Sequence, residues 1–219
     1  MTIDQAYKYI QFVFFKRYSG YVAPADFNNL IDIHQISFIN DRLGNVKKYN
    51  KEGRPPYGFG MTQKTREELR PLLVAPSTIA VSSGLAAIPS DYLYYDTVSV
   101  NGKQAQEATE DEILELNNSL IKPPSVTYPK FVVHQNGLYL FPTSITSILL
   151  SYVSKPTTPV WNYTITNDEP EYNSSGSQDW QTAPGTHLEI CRRILADVGI
   201  SLGLVELAQY ADAAEAEGK

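Results

Sequence analysis

Ile3, Ala6, Tyr7, Ile10, Val13 and Phe14 recur at helical spacing, and Thr2 with Gln5 stands at capping-box spacing ahead of them. The pattern predicts a first helix that Gly20 ends. Tyr9, Phe12 and Phe15 fall on its other side, an apolar face wide enough to predict packing against more than one neighbour. Pro24 suits the first turn of a second helix, which carries Phe27, Leu30, Ile31 and Phe38 on one stripe and stops near Gly44.

From about residue 77 the period changes to two. Residues 78–83 and 92–100 read as strands rich in β-formers. Asn101-Gly102 is a tight-turn signal, and Asn136-Gly137 is another, between FVVH and LYLF. Thr109 with Glu112 caps a helix running to about residue 120, which Pro123-Pro124 stops. Residues 144–153 and 160–166 add strands, with Trp161, Tyr163 and Ile165 on one face. Residues 167–185 read as a polar, partly acidic loop anchored by Trp180. Thr186 and Glu189 then repeat the capping box ahead of a stripe of Leu188, Cys191, Leu195 and Val198. Glu189–Arg193 and Arg193–Asp197 stand at i,i+4, and Gly199 fits an αL position past the helix end. A last helix from about Ser201 fades into ADAAEAEGK.

These elements make an α+β chain, with N-terminal and C-terminal helices flanking a central, mostly antiparallel β region with long projecting loops. The expected organisation is residues 1–75 as N-terminal helices plus a basic loop, 76–183 as the β-rich region with one inserted helix, and 184–219 as C-terminal helices packing back on the first. Together they form one composite domain.

Charge singles out one stretch. Arg42, Lys47, Lys48, Lys51, Arg54, Lys64, Arg66 and Arg70 face only Glu52, Glu67 and Glu68 across residues 42–71. That stretch is +5 within a chain of −6, which leaves −11 elsewhere. EGRPPYGFG within it has too much Pro and Gly for a regular element and presents Tyr57 and Phe59. Thr65 with Glu68 caps a short helix ahead of Pro71. Arg and Tyr are common interface anchors, so the stretch reads as a projecting loop for a protein partner, with DNA phosphates as the other acidic surface it suits. The expected interface residues are Lys47, Lys48, Arg54, Tyr57, Phe59, Arg66 and Arg70, joined by Phe12, Phe15 and Trp180.

Composition adds exclusions. With 42% hydrophobic residues, 19% charged and 25 aromatics (15 Tyr, 8 Phe, 2 Trp), the chain has ample material for a core and is not a disordered sequence. A pI near 5.1 argues against a general nucleic-acid binder. The opening MTIDQAYKYI has no basic region before an apolar one, so no signal peptide is expected. The longest strongly apolar run, residues 145–153, is far short of the roughly 20 residues that span a bilayer.

Catalytic patterns are sparse, and no enzymatic activity, cofactor or metal is expected. His34, His134 and His187 have no metal-site spacing. Cys191 falls on an apolar helix stripe, where a thiol behaves as a small hydrophobe. The sequence has no G-x-S-x-G, Walker loop or G-x-G-x-x-G. SGYVAPADF has the cadence of a calcium loop, but aligning Gly20 with its glycine puts Phe15 and Arg17 where acidic ligands belong. Glu110, Asp111 and Glu112 fall in a first helical turn, which favours negative charge without any catalytic purpose.

AYKYIQFVF…SGYVAPADFNNLIDIHQ, then Ile88-Pro-Ser-Asp-Tyr92, ELNNSLIKPPSVTYP and GLYLFPTSITSILLSYVSKPTTPVWNY, and finally EICRRILADVGISL…ELAQYADAAEAEG together cover most of the chain. In these segments it resembles structural proteins of tailed phages that infect Bacteroidetes hosts, including crAss-like phages. The resemblance implies a head–tail connector or neck ring protein docking on the portal. It implies a cyclic homo-oligomer, twelvefold like the portal, that touches adjacent neck or tail proteins and, transiently, DNA in the lumen. Such a protein is made in the host cytoplasm and resides in the virion, with no membrane partner. The β region is larger than in purely helical connectors, so that likeness belongs to the termini. A carbohydrate- or receptor-binding tail module, with Trp161, Trp180 and the tyrosines as stacking platforms, is the competing reading.

Overall fold

The computed structural model describes residues 1–18, 20–44, 63–119 and 123–201. In chain order the elements begin with α1 (Ile3–Tyr18), α2 (Pro24–Gly44) and α3 (Gln63–Leu69). Next come β1 (Leu73–Ser82), β2 (Leu85–Ala86), β3 (Tyr92–Val100), β4 (Lys103–Gln104) and β5 (Gln106–Glu107). Helix α4 (Glu110–Asn117) precedes β6 (Lys130–His134), β7 (Gly137–Phe141) and β8 (Ser147–Ser154). The hairpin β9 (Tyr163–Thr166) and β10 (Glu169–Tyr172) leads to α5 (His187–Ser201). The chain is therefore mixed α+β, and it divides into two compact units. One takes described residues 1–44, 63–71 and 156–201; the other takes 72–155. The helical unit thus reclaims the chain at Pro156, well ahead of its last helix.

In the sheet unit, eight strands run in the order β4-β3-β8-β1-β2-β7-β6-β5. Every pairing is antiparallel except β5 with β6. The two edge strands are successive in the chain, separated only by Ala105. The Ala105 N–H donates to the Val98 carbonyl at 2.8 Å, and Gln106 N–H donates to Pro129 at 3.0 Å. One short stretch thus pairs with β3 on one side and β6 on the other, so the sheet nearly closes on itself and leaves little free edge. The Tyr95 hydroxyl donates to the Glu107 carboxylate across the same seam.

The interior this closure encloses is apolar. Val98, Val100, Phe131, Leu138, Leu140, Ile148 and Leu150 are buried together, each side chain contributing roughly 1.5–3 kcal/mol on full burial. Phe131 points inward while its neighbour Val132 packs outward with Ala108 and Ile113 of α4, as the two-residue period of a strand requires. Helix α4 has the predicted capping box, with Glu112 N–H donating to Thr109 Oγ1 and Thr109 N–H donating to Glu112.

Tight turns set the hairpins. Asn101 and Gly102 both have positive φ, as a two-residue primed turn demands, and so do Ser83 and Gly84 between β1 and β2. The β6–β7 hairpin forms, but its turn is Gln135-Asn136, one residue earlier than predicted, because His134 pairs with Gly137. Gly137 is instead the first residue of β7, at φ +147°, where a Cβ would stand 2.2 Å from the Ala86 carbonyl oxygen. A close backbone approach, not the turn, requires that glycine.

In the helical unit, α5 packs on α1 and α2. The first helix starts as predicted: Gln5 N–H donates to Thr2 Oγ1 at 3.3 Å and Thr2 N–H to Gln5 Oε1 at 3.0 Å. Its inner face (Ile3, Ala6, Tyr7, Ile10 and Phe14) is buried. The capping box expected from Thr186 and Glu189 gives way to other bonds, one of them tertiary. Thr186 Oγ1 donates to the Ala183 carbonyl within a 3₁₀ turn, and Glu189 accepts from Arg42 at 2.5 Å and Arg193 at 3.1 Å. The buried stripe of α5 is Ile190, Cys191, Ile194 and Leu195, with Leu188 well exposed, and α5 continues through Gly199. Burial pushes the Cys191 thiol up to about 12. Arg193 also reaches Asp41 at 2.6 Å, and Asp197 faces His34 at 3.1 Å.

Residues 167–185 are not one continuous loop. Asn167 and Asp168, both at positive φ, turn β9 into β10, a conformation Asn and Asp tolerate better than other side-chain residues. Residues 202–219, where a last helix was expected, lie outside the described residues.

Candidate interaction surface

Helix α1 is apolar on both sides, and its neighbours cover only one. Tyr7 meets Phe27 of α2 edge-on at 5.1 Å and stacks on Trp161 at 4.0 Å. Phe12 and Phe15 on the outer side remain 60% and 73% exposed. The wide face therefore has several partners at its inner edge and none among the described residues over its outer one.

The turn into α2 adds a third exposed ring, Tyr21, at 61%. Its backbone is fixed. Tyr7 Oη and Gln11 Nε2 both donate to the Val22 carbonyl, at 3.1 and 2.5 Å, while Val22 N–H donates to Gln11 Oε1 at 3.4 Å. A Cβ at Gly20 would stand 2.6 Å from the Phe14 ring, so the chain passes there only as glycine. Burial holds the Tyr7 phenol well above its usual pKa, with the Tyr21 hydroxyl beside it reinforcing the shift.

The β9–β10 turn forms the opposite wall. Trp161, 2% exposed, anchors the hairpin by stacking with Tyr163 and lying near Tyr172, while its backbone N–H donates to Asn28 Oδ1 at 2.8 Å. Its indole N–H donates to Asp4 at 3.3 Å. The turn residues Asp168, Glu169 and Pro170 thereby face Phe12, Phe15 and Tyr21 across an open cleft of about 730 Å³. Lys8 in the cleft is matched by Asp4 at 2.7 Å, and Lys16 lies over the Phe12 ring at 5.1 Å. Asp168 and Glu169 are exposed and make no ion pair among the described residues. An aromatic floor with an acidic rim suits an apolar side chain next to a cation.

A second feature fixes the base of the basic stretch. Arg42 meets Glu68 of α3 at 2.8 Å and Glu189 of α5 at 2.5 Å, and Arg193 meets the same Glu189 at 3.1 Å. Both guanidinium groups lie near the Phe38 ring, at 4.7 and 5.6 Å. The helix before residues 45–62 and the helix after them are thus clamped together.

The predicted interface residues divide. Phe12 and Phe15 share the cleft. Arg66 and Arg70 are exposed, on α3 and just after it instead of in a loop, and Arg70 pairs with Glu67 at 3.6 Å. Thr65 is inside α3, which starts three residues earlier than a Thr65 cap requires. Lys47, Lys48, Arg54, Tyr57 and Phe59 lie outside the described residues. Trp180 is 7% exposed and stacks on His187 at 4.7 Å, so little of it is open to a partner. Tyr21 and the Asp168–Pro170 turn escaped sequence reasoning because neither sits on a periodic stripe; the Asn-Asp pair was the available turn signal.

In the sheet unit, Tyr128 is exposed beside a smaller cleft of about 610 Å³ with Pro124 and Lys130. Among the described residues no group of three His, Cys, Asp or Glu side chains could hold a metal, and no helix is long and apolar enough to cross a membrane. A scan against protein-family models gave no match, and a search of curated proteins gave none either.

Proposed function

We propose that this chain is a virion structural protein, a subunit of the head–tail connector ring that docks on the portal of a tailed phage and joins capsid to tail. The observation that carries the reading is the cleft of Phe12, Phe15 and Tyr21, three large rings exposed together on a backbone that hydrogen bonds hold in place. Clustered exposed apolar side chains of this size are characteristic of a surface that a partner covers. The segment-by-segment likeness to phage structural proteins supplies the kind of partner. The nearly closed sheet is consistent with such a building block, since it leaves little edge for unintended strand pairing.

The carbohydrate-binding alternative loses two of its platforms, because Trp161 and Trp180 are both buried, and rests on exposed tyrosines such as Tyr21 and Tyr128. The connector reading is tested by electron microscopy of the purified chain mixed with its purified portal. Rings seated on the portal are the expected result. A chain that stays monomeric and unbound in that mixture overturns it, as do tailed virions that remain intact without the gene.

A further inference from the structure

The geometry points to a second copy of this chain as the occupant of the α1 cleft, inserting its basic, aromatic segment 45–62. The inference deepens the ring-subunit reading and rests on it in taking copies of the chain to meet.

Complementarity is the first argument. The cleft offers Phe15 and Tyr21, and Phe12 already under Lys16, together with Asp168 and Glu169, while Asp4 already matches Lys8. Segment 45–62 carries Lys47, Lys48, Lys51 and Arg54 against a single acid, Glu52, interleaved with Tyr49, Tyr57 and Phe59. Cations next to rings are what such a cleft recognises. Residues 202–219 are apolar enough to compete, but Glu206, Asp212, Glu215 and Glu217 outweigh Lys219 and oppose the acidic rim.

Reach is the second argument, and it separates a neighbouring copy from the same chain. Tyr7 touches Phe27, so the cleft lies by the first turn of α2. Segment 45–62 leaves from the other end of that helix, 21 residues and about 30 Å away. Its return is tied to the same end, because Arg42 holds Glu68 at 2.8 Å. A segment of 18 residues held at both ends reaches about 30 Å at its midpoint only if both limbs are fully extended. Self-insertion would consume the whole segment as straight limbs; insertion into an adjoining copy requires no such extension. Donor and acceptor at opposite ends of one helix also make the contact heterologous, the kind that closes into a ring when the rotation allows.

The test is a titration of a labelled 45–62 peptide into the full-length chain, read by fluorescence anisotropy. Saturable binding is expected, weakened at least tenfold in Phe12→Ala/Phe15→Ala and again in Asp168→Asn/Glu169→Lys, where Asn keeps the positive-φ turn. Phe12, Phe15 and Glu169 are exposed and Asn suits the backbone at 168, so the variants fold. No binding, or binding unchanged in both variants, overturns the inference, and so does a 202–219 peptide that takes the cleft instead. A mixing experiment then decides between copies. Phe15→Asp breaks the acceptor and Tyr57→Ser/Phe59→Ser breaks the donor; a mixture of the two is expected to sediment as a one-to-one dimer. Monomers only in that mixture overturn insertion between copies. Neither readout involves portal or virion, so failure here and failure of the connector reading are told apart.

Discussion

The two units satisfy their interiors by different means. In the sheet unit, closure gathers Val98, Phe131, Leu140 and Leu150 into an apolar interior, and one short stretch of chain seals both sheet edges. In the helical unit, helices that individually carry too much apolar surface are stitched by polar groups. Arg42 and Arg193 share Glu189, His34 faces Asp197, and Trp161 spends its indole N–H on Asp4. A closed sheet satisfies its own backbone, whereas helices leave freedom in which face is covered. α1 uses that freedom to keep Phe12 and Phe15 uncovered beside its buried Phe14.

The largest effect is expected in the sheet interior. Phe131→Ala removes a ring that is 1% exposed and lies edge-on to Tyr95 at 5.2 Å. It should cost about 3–5 kcal/mol by urea denaturation. A loss below about 1.5 kcal/mol would mean that the sheet does not enclose a packed core.

The polar stitching should show the next largest effect. Arg42→Ala leaves Glu68 with only the distant Lys64 at 3.9 Å and Glu189 with only Arg193, in surroundings where Arg42, Glu68 and Glu189 are mostly covered. A cost of about 2–3 kcal/mol is expected, below the full penalty of a buried broken pair because some solvent still reaches these groups. Arg42→Met combined with Glu68→Leu should regain part of it, since the pair is then removed whole. If Arg42→Ala is silent, the network does not hold α2, α3 and α5 together.

A smaller effect follows from two buried histidines in the helical unit. Burial lowers the pKa of His34, opposed by Asp197 and reinforced by Arg193. Burial also lowers that of His187, opposed by hydrogen bonding to the Thr182 and Met1 carbonyls and by Asp179. Folding therefore favours the neutral rings. Their contribution is fully present above the unfolded value of about 6.5 and is lost as pH falls through the lower folded values. The melting temperature should drop from pH 7 to pH 5, and His34→Gln/His187→Gln should flatten that drop relative to the parent chain. An unchanged slope in the double variant would place the acid sensitivity elsewhere.

What the sequence disclosed, and what it withheld, follows the range of the forces involved. Thr2 with Gln5 and Thr109 with Glu112 fulfil their capping boxes because each bond spans three residues. Strand β3, Tyr92–Val100, coincides with the predicted one because its β-formers repeat locally. Thr186 and Glu189 have the same spacing, but Arg42, 147 residues away, offers Glu189 a charged partner that the box cannot match. Sheet closure was invisible for the same reason: Ala105 has no local signature, and its importance lies in Val98 and the strands on either side. Trp180 in a polar stretch reads as an anchor for an interface, and its burial against His187 has no local signal. Of the candidate cleft, Phe12 and Phe15 were legible as surplus on a helix already full; the wall opposite them was not.

The smallest expected effect on stability belongs to the cleft, and it divides α1 most cleanly. Phe12, Phe14 and Phe15 occupy one turn of one helix, so composition and helix propensity are nearly common to all three. Phe14→Ala should cost about 3–5 kcal/mol, because its ring is 1% exposed and fills the space against Gly20. Phe12→Ser/Phe15→Ser should change stability by no more than about 0.5 kcal/mol per site, the range of surface substitutions that remove no buried contact. Urea curves of the three variants at low protein concentration, where copies do not meet, make the comparison. A large loss in the double variant would show that Phe12 and Phe15 support the fold of the single chain, and the outer face of α1 would then have no surplus to offer a partner. A small loss leaves two rings that the isolated molecule does not need, which is the condition for a surface whose energy is released only on assembly.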